Sequence, residues 1–134
     1  MPEFTQRISL TGRTALVTGA SKGIGKEICR VLADAGADIA AVARDRDGLS
    51  EVKRTVEAMG RRCLAIEADL ATVAGPTKAA RTALEAWGAI DILVNNAGVT
   101  AIESILEAKV ESWDWIMRST CVRRSCWHRH WRRA

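Results

Sequence analysis

The chain has 134 residues, of which 48% are hydrophobic and 27% are charged, an ordinary balance for one globular domain. No apolar run approaches the roughly 20 residues of a membrane-spanning helix, and the first ten residues lack the basic and then apolar order of a signal peptide, so a cytoplasmic protein is expected. Residues 1–118 have a net charge of −1, so the net charge of +4 comes from residues 119–134. The body of the chain therefore gives no sign of a nucleic-acid surface.

Short apolar runs alternate with amphipathic helix patterns along the chain. The runs at 14–18, 39–43, 63–66 and 90–94 are continuously apolar, as is typical of parallel strands that helices cover on both faces. Helices are predicted over 23–35, 46–59, 76–87 and about 110–118. Pro76 suits a first helical turn, and glycines follow the first three helices as stop signals. The alternation predicts an α/β fold with a doubly wound parallel sheet.

Helical spacing predicts which faces are buried. The predicted buried face of the first helix consists of Ile24, Ile28, Val31, Leu32 and Ala35, and that of the second consists of Leu49, Val52, Val56 and Met59. Cys29 and Cys63 are interpreted as small buried hydrophobic residues rather than as a disulfide pair. Trp113 and Trp115 alternate and cannot share one helix face, so they are interpreted as ordinary core and rim aromatics.

The segment between the first strand and the first helix, residues 18–25, reads TGASKGIG. Its glycines allow a tight turn and a close approach to a phosphate, and the helix that follows offers free N–H groups and a positive dipole end. A glycine loop that follows a strand and opens a helix is the context required of a dinucleotide-binding loop. The predicted ligand is a pyrophosphate, and the alternative is a tight turn without a ligand.

Two further motifs follow in order along the chain. Asp69 and Leu70 come after the third strand, and the sequence NNAG comes after the fourth, at residues 95–98. With the glycine loop, these motifs resemble the short-chain dehydrogenase/reductase family over about residues 8–118. The resemblance implies a Rossmann-like fold and an NAD(P)-dependent oxidoreductase, which transfers hydride between a nicotinamide dinucleotide and a small carbonyl or alcohol substrate.

The resemblance also implies roles for matching residues. The glycine loop would hold the pyrophosphate, Asp69 would accept a hydrogen bond from the adenine amino group, and residues 96–98 would line the adenosine ribose while Asn95 braces the sheet. Simpler alternatives are a helix N-cap or a surface carboxylate for Asp69 and turn chemistry for the two asparagines. The predicted cofactor-binding residues are Gly19, Ser21, Lys22, Gly23, Ile24, Gly25, Arg44, Asp69, Leu70, Asn96, Ala97 and Gly98.

The end of the second strand bears on the choice of cofactor. An NAD site usually has an acidic residue there, but this chain has Ala43 followed by Arg44. A guanidinium can bind a 2′-phosphate bidentately, and Lys22 in the glycine loop adds a second cation. NADP is therefore favoured over NAD. The alternative is that both cations are merely solvated, and Asp45 and Asp47 count against NADP.

The sequence contains no tyrosine, although the family's catalytic residues are a Ser, a Tyr-x-x-x-Lys pair and an Asn. We therefore predict no catalytic residue in this chain, and the spacing of its cysteines and histidines predicts no metal site. The expected structure is a Rossmann-like half-domain over residues 1–118, with its sheet truncated after the fourth strand in the order 3-2-1-4. The bare edge of that strand would favour self-association. A substrate would bind only in a full-length relative.

The composition changes abruptly after Arg118. When residues 119–133 are reverse-translated and the possible codons are read in a frame shifted by one base, one allowed amino-acid sequence is VNVCAPLLLAQALAP. Its Asn falls where the family has its catalytic Asn. We hypothesise a frameshift near Arg118 that leaves residues 119–134 as a basic, disordered tail. A metal site and a contact with nucleic acid or a membrane are the disfavoured alternatives. They would use Cys121, Cys126, His128 and His130 for the metal, and Trp127 and Trp131 with the surrounding arginines for the contact.

Overall fold

The computed structural model describes residues 8–99, 104, 106–107 and 109–120. The elements, in chain order, are β1 (Thr14–Thr18), α1 (Gly23–Asp34), β2 (Asp38–Ala43), α2 (Arg46–Ala58), β3 (Cys63–Glu67), α3 (Ala74–Trp87), β4 (Ile92–Val94) and α4 (Val110–Thr120). In this part of the chain the strands form one parallel sheet in the order β3-β2-β1-β4. The predicted α/β class, Rossmann-like topology and strand order are confirmed.

The sheet is covered on both faces, which explains why its central strands read as unbroken apolar runs. All five residues of β1 are buried. One face packs against α1 and α2, and the other packs against α3 through Ala79, Ala80 and Ala83. These small side chains let α3 lie close to the sheet.

Two elements start two residues away from their predicted starts. β4 begins at Ile92 rather than at 90, because its pairing with β1 starts there. Just before the strand, the carboxylate of Asp91 accepts hydrogen bonds from the Thr14 N–H at 2.9 Å and from Arg13 at 3.2 Å. α3 begins at Ala74, two residues before Pro76. Pro76 still lies in the first turn, where a missing N–H leaves no helical hydrogen bond unmade.

The predicted buried face of α1 is wrong in part. The buried residues are Gly25, Cys29 and Ala33, with Ile28 and Leu32 packed partly against the core, whereas Ile24 is 74% exposed and Val31 is also exposed. The cause is the close approach of the helix to the glycine loop, which places the small residues against the sheet. A Cβ atom on Gly25 would lie 2.1 Å from the carbonyl oxygen of Gly19.

The prediction for α2 is confirmed. Leu49, Val52 and Val56 are buried, and Met59 packs partly against the same core. Cys29 and Cys63 are buried free thiols, as predicted. Burial raises the pKa of each thiol to about 12, so both stay protonated and unreactive near neutral pH.

α4 continues to Thr120, two residues beyond the predicted end. Trp115 is 39% exposed and Trp113 is 65% exposed, so both fit rim or surface positions and neither is a buried core aromatic. Ser119 is buried. None of the helices that the structure describes is both long and apolar enough to cross a membrane. The predictions made for residues 121–134 lie outside the described residues.

Candidate cofactor-binding site

A cleft of about 730 Å³ opens where the chain leaves the carboxyl ends of the strands. In open parallel sheets, this edge is where ligands bind. The structure brings eleven of the twelve predicted cofactor-binding residues into the lining of the cleft, and Gly25 is the exception. Gly25 instead lies buried behind the glycine loop, where its missing side chain lets α1 approach. A second cavity of about 420 Å³ shares Arg44 and Asp69 with the cleft.

The glycine loop presents an uncapped helix end to the cleft. The N-cap residue of α1, Lys22, makes no side-chain capping hydrogen bond, so the first N–H groups of the helix are not satisfied by a cap. In contrast, the side chain of Asp45 caps α2 by accepting from the N–H groups of Asp47 and Gly48. Gly23 has a φ of +56° and open space where a Cβ would lie. This arrangement suits an anionic ligand at the start of α1.

One hydroxyl joins the end of β1 to the turn after β4. The Oγ1 of Thr18 accepts hydrogen bonds from the N–H groups of Asn96 (3.0 Å) and Ala97 (2.9 Å), and it donates to the Val94 carbonyl at 3.3 Å. The side-chain amide of Asn96 donates in turn to the carbonyl oxygens of Thr18 and Gly19. Asn96, rather than the exposed Asn95, therefore braces the glycine loop.

Asp69 holds a turn at the wall of the cleft. Its Oδ1 accepts from the Ala71 N–H at 2.9 Å. The N-cap of α3 is Val73, so the alternative reading of Asp69 as the helix N-cap is wrong. The Oδ2 atom makes no hydrogen bond within the described part of the chain, and it remains available to a ligand.

The cations of the cleft have no anionic partners among the described residues. Lys22 and Arg44 are exposed, line the cleft and make no ion pair there. Two of the nearby acids are engaged elsewhere, since Asp45 caps α2 and Glu67 is paired with Arg46 at 2.8 Å, while Asp69 lines the cleft without an ion pair to either cation among the described residues. The cleft therefore offers two free positive charges to a ligand.

Three residues that shape the site were not predicted from the sequence. Thr18 carries the bridging hydroxyl, and its position at the end of a strand before a glycine loop was a usable signal. A Cβ on Gly48 would lie 2.7 Å from the Ser21 carbonyl oxygen, so this glycine lets α2 pack against the loop. Ser119 is buried in the wall of the cleft, and nothing local in its basic surroundings indicates that position.

The fold and the cleft are those of a Rossmann-type nucleotide-binding domain. The family model described as short chain dehydrogenase matches residues 13–121, and the chain belongs to this family.

Proteins of known name show the same relationship. The chain is 38% identical over 112 residues to the 2-dehydro-3-deoxy-D-gluconate 5-dehydrogenase of Dickeya dadantii, covering 81% of this chain and 42% of that protein. It is 40% identical over 110 residues to the rhamnolipids biosynthesis 3-oxoacyl-[acyl-carrier-protein] reductase of Pseudomonas aeruginosa, covering 82% and 43%. The chain thus spans about two-fifths of the length of these curated relatives.

A similar solved structure is that of the L-sorbose reductase of Gluconobacter frateurii, complexed with NADPH and L-sorbose. It has a TM-score of 0.85 and 36% identity over 91% of this chain and 47% of that one. A short chain dehydrogenase from Burkholderia cenocepacia, in complex with NADP, has a TM-score of 0.84 and 36% identity over 91% and 52%.

Proposed function

We propose that this chain binds NADP(H) in the cleft and forms the cofactor-binding part of an oxidoreductase. That enzyme would transfer hydride between NADP(H) and a small carbonyl or alcohol substrate. The observation that carries the proposal is the pair of unpartnered cations, Lys22 and Arg44, beside an uncapped helix start. A dinucleotide with a 2′-phosphate supplies the extra negative charge that these side chains can bind.

The residues present fit NADP(H) better than NAD(H). Ala43 ends β2, so no carboxylate at that position repels a 2′-phosphate. The nearest acid, Asp45, uses one carboxylate oxygen to cap α2. The NADP and NADPH complexes among the structural neighbours support the same preference.

Changes at the two cations test the proposal. Lys22→Ala and Arg44→Ala should each weaken NADPH binding about tenfold or more, because a hydrogen bond to a charged group contributes about 1.5–3 kcal/mol. Binding of NADH should change little, since it lacks the 2′-phosphate. Isothermal titration with both dinucleotides measures the effect.

Arg54→Ala is the matched control for that experiment. It removes one positive charge from the exposed surface of α2, outside the lining of the cleft. Its NADPH affinity should match that of the unchanged protein. Equal affinity of the unchanged protein for NADPH and NADH would contradict the assignment to NADP.

The 134-residue chain itself should bind the cofactor without catalysing the reaction. It contains no tyrosine, and a tyrosine hydroxyl is the proton-transferring group that the family resemblance implies. NADPH should quench the tryptophan fluorescence, but a panel of ketones should cause no oxidation of NADPH. Steady turnover by the purified chain would refute the proposal that it supplies the cofactor half alone.

Self-association through β4 is a second candidate property of the chain. In the part of the chain that the structure describes, β4 pairs with β1 alone, and its three residues are only half-buried. An apolar edge strand of this kind is a template for pairing with another chain. Sedimentation velocity should show concentration-dependent dimers, whereas a monomer at all concentrations would exclude this candidate.

A further inference from the structure

The helix α1 has two apolar faces, and the sheet covers only one of them. Its small residues, Gly25, Cys29 and Ala33, are buried against the sheet. The larger apolar residues recur at the spacing i, i+4, i+7 and i+11 on a second face, the α1 stripe, which consists of Ile24, Ile28, Val31 and Ala35. Ile24 and Val31 are exposed, and the other two are half-buried. Such a stripe is typical of a helix face that packs against another element, so it indicates a partner beyond the described residues.

The α1 stripe lies on the side of the helix that faces away from α2. On the α2 side, Lys26 is paired with Glu51 at 2.6 Å. At about 100° per residue, the stripe is centred roughly 170° around the helix axis from Lys26. Because α2 covers β2 and β3, the opposite side of α1 lies toward β4.

The outer edge of β4 is unpaired in the part of the chain that the structure describes. Ile92 and Val94 pack partly against the same core as α1. The N–H of Asp91 donates to the Thr14 carbonyl beside β1, and successive N–H groups of a strand alternate in direction, so that of Ile92 points to the open edge. β4 has no charged residue and no proline, which are common protections of an edge. The edge can therefore accept a further strand.

The spacing of the elements decides which occupant fits. α1 lies over β1 and β2, so its axis is roughly 7 Å from β4 at about 4.8 Å per strand. If a second copy paired with β4 about a two-fold axis, the two α1 helices would lie about 19 Å apart, whereas packed helices lie about 8–10 Å apart. A second copy would thus leave both stripes uncovered. A helix placed above β4 and one added strand lies at packing distance from α1.

We propose that the α1 stripe and the β4 edge together bind a second α/β polypeptide, which adds a strand to β4 and packs an amphipathic helix on the stripe. More than half of the length of the curated relatives lies outside their match to this chain, and the occupant is a polypeptide equivalent to that part. This inference rests on the proposed function, because it names the partner that the cofactor-binding part requires.

Coexpression tests the interface. The chain, carrying an affinity tag, is produced together with the unmatched part of the Dickeya dadantii 2-dehydro-3-deoxy-D-gluconate 5-dehydrogenase, and the two should co-purify. The matched part of the same dehydrogenase, coexpressed with that fragment, is the positive control. Val31→Lys should lower recovery of the fragment about tenfold or more, because the interface would bury an ammonium group without a counter-charge. The unfolding midpoint and NADPH affinity of this variant alone should be unchanged, since Val31 is exposed and lies outside the lining of the cleft.

Val73→Lys is the matched control. This valine is 92% exposed at the start of α3, on the other face of the sheet, so recovery of the fragment should be retained. A fragment that co-purifies in the positive control but not with this chain would overturn the inference, as would equal recovery by the Val31→Lys and Val73→Lys variants.

Two measurements on the chain alone separate the remaining outcomes. If Val31→Lys disperses dimers of the chain in sedimentation velocity, a second copy covers the stripe and the inference is overturned. If the chain binds no NADPH, the proposed function fails. If it binds NADPH but recovers no fragment, only the inference about the α1 stripe and the β4 edge fails.

Discussion

Thr18 shows how much of the site depends on one hydroxyl. Its Oγ1 accepts from two N–H groups after β4 and donates to the Val94 carbonyl, so its full hydrogen-bonding capacity is used. Because the Asn96 amide returns two bonds to Thr18 and Gly19, the glycine loop and the turn after β4 form one unit. The shape of the cleft therefore depends on a side chain that is itself fully buried.

Replacing that hydroxyl tests the bridge. Thr18→Val keeps the shape of the side chain but leaves the Ala97 N–H without its partner, and an unsatisfied buried group costs about 1–3 kcal/mol. The free energy of unfolding, measured in urea, should fall by about that amount. Thr18→Ser keeps the hydroxyl and should retain most of the stability. Equal stability of the valine and serine variants would contradict the bridging role.

At the same scale, the sequence predicted those site residues whose location is set by the neighbouring residues of the chain. Lys22 lies within the glycine loop, and Arg44 directly follows the second strand. Their positions in the sequence therefore predicted that both side chains lie near the loop. Ser119 could not be predicted, because its burial depends on how α4 packs against the turn after β4. The two bonds from the Asn96 amide to the glycine loop could not be predicted either, because only the pairing of β4 with β1 brings this asparagine to the loop.

At the scale of elements, the extent of α1 was predicted to within one residue, but its buried face was predicted only in part. Helical spacing identifies a face with large apolar residues, but the face that packs here consists of Gly25, Cys29 and Ala33. Close packing against a glycine loop favours small residues, and no count of hydrophobic side chains reveals that preference. α2 packs at an ordinary distance through Leu49, Val52 and Val56, and its buried face was predicted correctly.

Gly25→Ala tests the close approach of α1. The added Cβ would meet the Gly19 carbonyl oxygen at 2.1 Å and the Asn96 amide nitrogen at 2.5 Å, so the loop and the helix must separate. Overpacking of this kind costs about 1–3 kcal/mol, and the midpoint of urea unfolding should fall accordingly.

Gly98→Ala is the stability control for that change. A Cβ on Gly98 would make only ordinary contact, at 3.7 Å, with the side chain of Thr120. Its unfolding midpoint should stay close to that of the unchanged protein. If Gly25→Ala unfolds at the same urea concentration as Gly98→Ala, the close approach is not needed for stability.

At the scale of the whole molecule, the strand order followed from the sequence because alternating strands and helices with right-handed crossovers allow few arrangements. The end of α4, the last described helix, could not be predicted from the sequence in the same way. The predicted end of that helix was at about residue 118, whereas α4 includes the buried Ser119 and reaches Thr120. Composition describes the average polarity of a segment. Whether a particular residue is buried depends on its tertiary contacts, which composition does not reveal.

The carboxylates of Asp38 and Asp91 tie the amino-terminal ends of the central strands to the chain around them. Burial alone would raise the pKa of Asp38, but hydrogen bonds from the Arg62 backbone and guanidinium outweigh it and lower the pKa. Hydrogen bonding from the Thr14 N–H, assisted by Arg13, lowers the pKa of Asp91. Both groups are therefore more acidic in the folded chain than in the unfolded chain.

Because the folded pKa values are lowered, the stabilisation is complete above the unfolded pKa and is lost as the pH falls through the folded one. The free energy of unfolding should be nearly constant above about pH 5 and fall toward pH 3. Asp38→Asn and Asp91→Asn should each be less stable at pH 7 and lose less stability in acid, as measured by urea unfolding at each pH. An unaltered acid profile in both asparagine variants would refute this explanation.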